Sequence, residues 1–149
     1  MTKISKTETK IKEPKTGKYF EGVGRWKTAV ARVRVFNPVL EGVKKLETTI
    51  NTKSLKDYFG SNKYRQIVES PLDKTAIKNV KVQIKVFGGG LHAQAEAIRL
   101  GISRALIISN PEWRSKLKAL GYLKRDPRMV ERKKFGSRKA RRPQQWRKR

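Results

Sequence analysis

The chain contains no cysteine and a single histidine, His92. The first absence excludes disulfides, thiolate catalysis and zinc fingers or ribbons. The second, with no thiolate to assist it, argues against a transition-metal site. Carboxylates are also scarce, at 12 Asp and Glu in 149 residues, scattered as Glu41, Glu47, Asp57, Glu69, Asp73, Glu96 and others. No motif isolates a pair of them for acid–base work, so they read as surface charges paired with Lys and Arg. No run of about 18 apolar residues occurs, so nothing in the sequence is expected to span a bilayer. Residues 1–17 contain Lys, Thr, Glu8 and Glu13 but no Arg and no apolar stretch. That pattern fits neither a signal peptide nor an organellar transit peptide. Residues 1–18 are expected to form a disordered basic leader.

What the chain does have is positive charge. Lys and Arg number 38, for a net charge of +26, while hydrophobic residues make up only 36 %. Such a charge repels itself in water, and a polyanion relieves the repulsion by releasing condensed counterions. Nucleic acid is the partner this implies. No cofactor is expected.

Periodicity places a body between residues 19 and 123. Residues 28–36 (TAVARVRVF) alternate Arg32 and Arg34 with Val33 and Val35, a half-buried strand, and Asn37-Pro38 stops it. Residues 80–87 (VKVQIKVF) put Val80, Val82, Ile84 and Val86 on one face and Lys81, Gln83 and Lys85 on the other. Residues 46–51 and 19–23 are weaker strand candidates. Residues 91–109 set Leu91, Ala95, Ile98, Ile102, Ala105 and Leu106 on one helical stripe. Gly101 lies within it, at a cost of about 1 kcal/mol relative to alanine, and marks close packing on the sheet. Pro111 opens a further helix through Leu120, which Gly121 ends. Residues 55–59 and 64–68 read as two shorter helices. Val33, Val35, Leu55, Phe59, Val82, Ile84, Val86, Ile98, Ile102 and Leu106 are the expected core of one α+β domain.

Two features invite a catalytic or nucleotide-binding reading. Gly88-Gly89-Gly90 follows a strand and opens a helix, as phosphate-cradling loops do. Yet Leu91-His92 stand where a P-loop needs Lys and Ser/Thr, and Ala93 replaces the third glycine of the dinucleotide fingerprint. The loop therefore reads as a tight turn, with a backbone contact to an RNA phosphate as the alternative. His92, at the start of the helix, reads as exposed to solvent or RNA rather than as an acid–base group.

The charge concentrates at the carboxy end. Residues 125–149 carry 12 Lys and Arg against two acids, or +10 of the total +26. Their few apolar residues cannot form a core, so residues 124–149 are expected to be an extended tail ordered by RNA. Arg125, Arg128, Arg132, Lys133 and Lys134, then Arg138, Lys139, Arg141 and Arg142, are the expected RNA contacts, with Phe135 and Trp146 as stacking faces. On the body, Arg25, Lys27, Arg32 and Arg34 cluster around the first long strand. Lys81 and Lys85 would join them if the two strands share a sheet. The alternative is a polar sheet face that only keeps the body soluble.

Several motifs in order now resemble one family. Gly24-Arg25-Trp26-Lys27-Thr28-Ala29-Val30-Ala31-Arg32-Val33 and Leu55-Lys56-Asp57-Tyr58-Phe59 resemble the opening of small-subunit ribosomal protein nine, bacterial or plastid type. So do Gly88-Gly89-Gly90, Gln94-Ala95, Ala97-Ile98-Arg99 and Gly101-Ile102-Ser103-Arg104-Ala105-Leu106 in the centre. Arg125-Asp126-Pro127-Arg128, Val130-Glu131-Arg132-Lys133-Lys134, Arg138-Lys139-Ala140-Arg141-Arg142 and Lys148-Arg149 resemble its tail. The likeness covers residues 19–149. It implies a four-stranded mixed sheet backed by helices, a two-layer sandwich, in the α+β domain of residues 19–123. It implies binding to small-subunit ribosomal RNA in the head, beside neighbouring small-subunit ribosomal proteins. It also implies that Arg149, with Lys148 beside it, approaches the anticodon stem of peptidyl-site transfer RNA. Trp26 stands where the family usually carries a basic residue, and stacking would replace that phosphate contact. The leader lies outside the likeness.

The leading expectation is a non-catalytic constituent of the small ribosomal subunit, working on cytoplasmic ribosomes or, alternatively, in a plastid. A free nucleic-acid-binding regulator is the second class; it would leave the ribosome peak in moderate salt. An RNA-cleaving enzyme is the third and weakest, for want of a partner for His92 or an acidic metal cluster.

Overall fold

The computed structural model describes residues 19–36, 46–77 and 79–145. Strands β1 (Tyr19–Trp26), β2 (Ala29–Phe36), β3 (Glu47–Ile50), β4 (Lys53–Ser54) and β5 (Lys81–Phe87) form one sheet in the order β1-β2-β5-β3-β4. The β3–β5 pair is parallel and the other pairs are antiparallel. Helices α1 (Leu55–Tyr58) and α2 (Asn62–Lys74) lie between β4 and β5, and α3 (Leu91–Ser109) and α4 (Trp113–Ala119) follow β5. The result is an α+β domain with a mixed sheet backed by helices.

The expected four-stranded sheet has a fifth strand. The extra one, β4, spans only two residues and closes a hairpin on β3 through Asn51-Thr52. Both turn residues have positive φ, 45° and 74°, as a two-residue type I′ turn requires. Asn-Thr is not the Asn-Gly that usually signals such a turn. Asn51 holds its conformation through β5: its Nδ2 donates to the Val86 carbonyl at 2.8 Å, and its Oδ1 accepts the Val86 N–H at 3.0 Å. The side-chain amide thus extends the ladder by one rung.

α3 lies across β1 and β2 on one face of the sheet and packs against α2. Small residues permit the approach. A Cβ at Gly24 would sit 2.5 Å from the Gly101 nitrogen and inside contact distance of the Ala97 carbonyl. A Cβ at Gly22 would sit 2.7 Å from the Ala105 nitrogen, and one at Gly101 would sit 2.6 Å from Val33 Cγ2. Gly101 therefore marks close packing, as its position in the helix predicts. All ten expected core residues are buried. Leu91, expected on the buried stripe, is instead 51 % exposed at the first turn of α3, beyond the sheet's cover.

α2 extends beyond the expected 64–68 segment at both ends, and on its carboxy side it runs through Pro71. Proline cannot donate to the carbonyl four residues back, which is that of Ile67. The Ser70 hydroxyl donates to that carbonyl at 2.8 Å instead. The local substitute keeps the turn satisfied and lets the helix run on to Lys74.

A cationic sheet face and a tethered basic segment

β2 and β5 are neighbours, so the basic faces expected on each form one surface. Arg32 lies directly opposite Lys85, and Arg34 opposite Gln83. On β1, Arg25 pairs with Val30, one step diagonal to Arg32. Their register places Arg25, Arg32, Arg34, Lys81 and Lys85 on the face away from α3. Like charges placed directly across strands disfavour each other in the isolated protein.

Carboxylates sort these cations into two groups. Arg34 Nε is 3.9 Å from Glu21 and its guanidinium stands over the Tyr19 ring, 4.8 Å from the centroid. Lys81 Nζ is 3.9 Å from Glu47. Arg25, Arg32 and Lys85 are exposed and have no carboxylate partner among the described residues. Lys27 sits at the β1–β2 turn with φ 51° and is exposed. Trp26 faces the other way, half-buried against the core.

The glycine turn is a turn. Gly88 and Gly89 adopt φ 74° and 64°, conformations glycine reaches without strain. The Gln94 Nε2 donates back to the Gly88 carbonyl at 3.1 Å, and the Tyr58 hydroxyl holds Gln94 Oε1 at 2.8 Å. His92 is exposed with its ring edge-on to Tyr64. Among the described residues no group of His, Asp and Glu could hold a metal ion. None of their helices is long and apolar enough to cross a membrane.

Beyond Leu123 the described residues form no helix or strand except an isolated bridge between Lys139 and Arg142. Arg125, Arg132, Lys133, Lys134, Arg138, Lys139 and Arg142 are exposed, and none has a carboxylate partner among the described residues. Arg141 is tied to Glu131 at 2.8 Å. Phe135 is fully exposed. Trp146, Lys148 and Arg149, expected to stack and to meet transfer RNA, lie outside the described residues, as does the leader.

The beginning of this segment is fixed, which the charge pattern does not reveal. The Lys27 N–H donates to the Asp126 carbonyl at 2.8 Å, joining the segment to the β1–β2 turn. Asp126 is buried, and its carboxylate accepts the Arg128 backbone N–H at 3.0 Å, Nε at 3.1 Å and Nη2 at 2.9 Å. Those hydrogen bonds from Arg128, chiefly its side chain, hold the Asp126 carboxyl below the usual aspartate range. Arg128 thus commits two of its donor groups to Asp126, leaving fewer for a phosphate.

A helix-backed sheet with exposed cations on the face away from α3, continued by a cationic segment, defines the class: a non-catalytic basic protein whose charge suits a polyanionic partner. The comparisons with known proteins agree and go further. The family model described as "Ribosomal protein S9/S16" matches residues 24–149, and the chain belongs to that family. It is 47 % identical over 128 residues to the small ribosomal subunit protein uS9 of Amoebophilus asiaticus (strain 5a2). It is 49 % identical to the protein of the same name from Christiangramia forsetii (strain DSM 17595 / CGMCC 1.15422 / KT0803). Each match covers 85 % of this chain and 95 % of the relative. The namesake in Mycobacterium leprae (strain TN) is 45 % identical, covering 85 % of this chain and 80 % of that protein. The chain is accordingly a structural constituent of the small ribosomal subunit and not an enzyme. Its partners are ribosomal RNA and other ribosomal proteins, and it takes part in translation.

Proposed function

We propose that the sheet face carrying Arg25, Arg32 and Lys85 docks on small-subunit ribosomal RNA in the head. The arm of residues 124–149 then threads between RNA segments to the peptidyl site. Its last residues, Lys148 and Arg149, contact anticodon-stem phosphates of the bound transfer RNA. The observation that carries the reading is the Arg32–Lys85 pair: two exposed like charges set directly opposite each other on neighbouring strands. An RNA phosphate between them turns a mutual repulsion into two attractions. Arg125, Arg132, Lys133, Lys134, Arg138, Lys139 and Arg142 supply the arm's phosphate contacts, and Phe135 a stacking face.

The likeness to the family over residues 24–149 supports the arm's destination. Deleting residues 144–149 tests it. Small subunits carrying the deletion should assemble normally yet bind peptidyl-site transfer RNA more weakly, as measured by filter binding. Unchanged affinity and unchanged salt dependence would remove the arm's role.

A further inference from the structure

We propose that Asp126 is a positioning residue: with Arg128 and the Lys27 backbone it clamps the root of the arm and sets the direction in which the arm leaves the body. This inference rests on the reading that the arm acts at the peptidyl site. Asp126 is one of only two acids in the last 25 residues. A negative charge there weakens attraction to RNA, so whatever it contributes to binding is geometric.

The geometry is a short staple. Arg99, paired with the buried Glu96, stands over the Tyr122 ring at 4.8 Å, and Leu123 packs against the core. Three residues on, the Asp126 carbonyl takes the Lys27 N–H. The Asp126 carboxylate then takes the N–H of the residue two positions ahead, an Asx turn whose middle residue is Pro127, with φ fixed by its ring. The Arg128 side chain closes on the same carboxylate. Residues 122–128 are thereby held between α3 and the β1–β2 turn.

The 21 residues that follow need a fixed starting direction to find one site. A tethered group binds best when its tether points at and spans to its target, and misdirection lowers its effective concentration there. Charge and geometry predict opposite results for Asp126→Ala. Removing the acid raises the net charge, so electrostatics alone predicts tighter binding of transfer RNA. Loss of direction predicts weaker binding, by about tenfold.

The experiment uses reconstituted small subunits carrying the full-length chain, and measures peptidyl-site transfer RNA affinity by filter binding. Asp126→Ala should bind about tenfold more weakly. Asp126→Asn should fall between it and the parent, because its amide oxygen still accepts the Arg128 N–H. Affinity equal to or above the parent for Asp126→Ala, with the 144–149 deletion still impaired, overturns the clamp and leaves the arm's role standing. No effect from the deletion either overturns both. Amide exchange on the full-length protein gives a readout without transfer RNA or assembly. The Lys27 amide should be protected in the parent and exchange freely in Asp126→Ala, while the Val33 amide stays protected in both. A Lys27 amide that exchanges freely in the parent overturns the proposal outright.

Discussion

The body and the arm carry the same kind of charge but hold it in place by different physics. In the body, Arg32 and Lys85 ride on strands whose other faces are closed by α3, with Val33, Ile84 and Ile102 at or near zero exposure. Their spacing is set before any RNA arrives. In the arm, Met129, Val130 and Phe135 are exposed, and local turns replace a core. The body uses apolar burial to make a rigid cationic surface, whereas the described part of the arm has only its root and local turns to hold it, and on the proposed reading its RNA partner. Substitutions should therefore separate the two regions cleanly.

The largest effect is expected where backbones meet in the body. Gly24→Ala drives a Cβ into the backbone of α3 at Ala97 and Gly101. Overpacking of this kind costs about 3 kcal/mol or more. Thermal unfolding should show a drop of many degrees, and an unchanged melting temperature would mean α3 does not lie on β1 at this distance. Next in size, Arg32→Ala with Lys85→Ala should weaken ribosomal RNA binding by roughly 1–3 kcal/mol and lower the salt slope by about two. The same change should slightly raise the stability of the free protein, by about 0.2–1 kcal/mol, because it removes a like-charge pair. Opposite signs in the two measurements are the signature of a surface kept for a polyanion; matching signs would make the pair merely structural.

A pH titration sharpens the comparison at the root of the arm. The Asp126 carboxyl lies below its ordinary value of about 3.9, so its contribution is present above that pH and lost as pH falls through the depressed value. Lys27 amide protection should survive at pH near 4 and disappear only in stronger acid. The smallest effect belongs to Glu69 on α2, whose carboxyl is raised by burial and then by Asp73. Its ionised form is a modest burden, absent at low pH and growing as pH rises through the raised value. Glu69→Gln should stabilise the protein slightly at pH 7 and not at all below about pH 4, as thermal melts would register.

Much of the body was legible in the sequence because alternation and helical spacing report burial directly. Residues 80–87 and 28–36 show their faces plainly, and the cationic surface follows once β2 and β5 are known to pair. The hairpin at Asn51-Thr52 was not legible, since its geometry depends on a hydrogen-bonded partner 35 residues away rather than on a glycine. The strand expected over residues 19–23 runs on to Trp26, and its Gly22 and Gly24 serve the contact with Ala97 and Ala105. The arm showed its charge and its poverty in apolar residues. It did not show that Asp126 reaches the Lys27 amide, a contact across about 100 residues that no local pattern encodes.

The most direct test of the account is the affinity of the full-length protein for small-subunit ribosomal RNA as a function of salt. The logarithm of the association constant should fall steeply with the logarithm of salt concentration. The slope should shrink by about two on losing Arg32 and Lys85, and by several more on ending the chain at Leu123. A shallow slope indifferent to both changes would contradict the proposal that an exposed cationic sheet face and a cationic arm together grip the RNA.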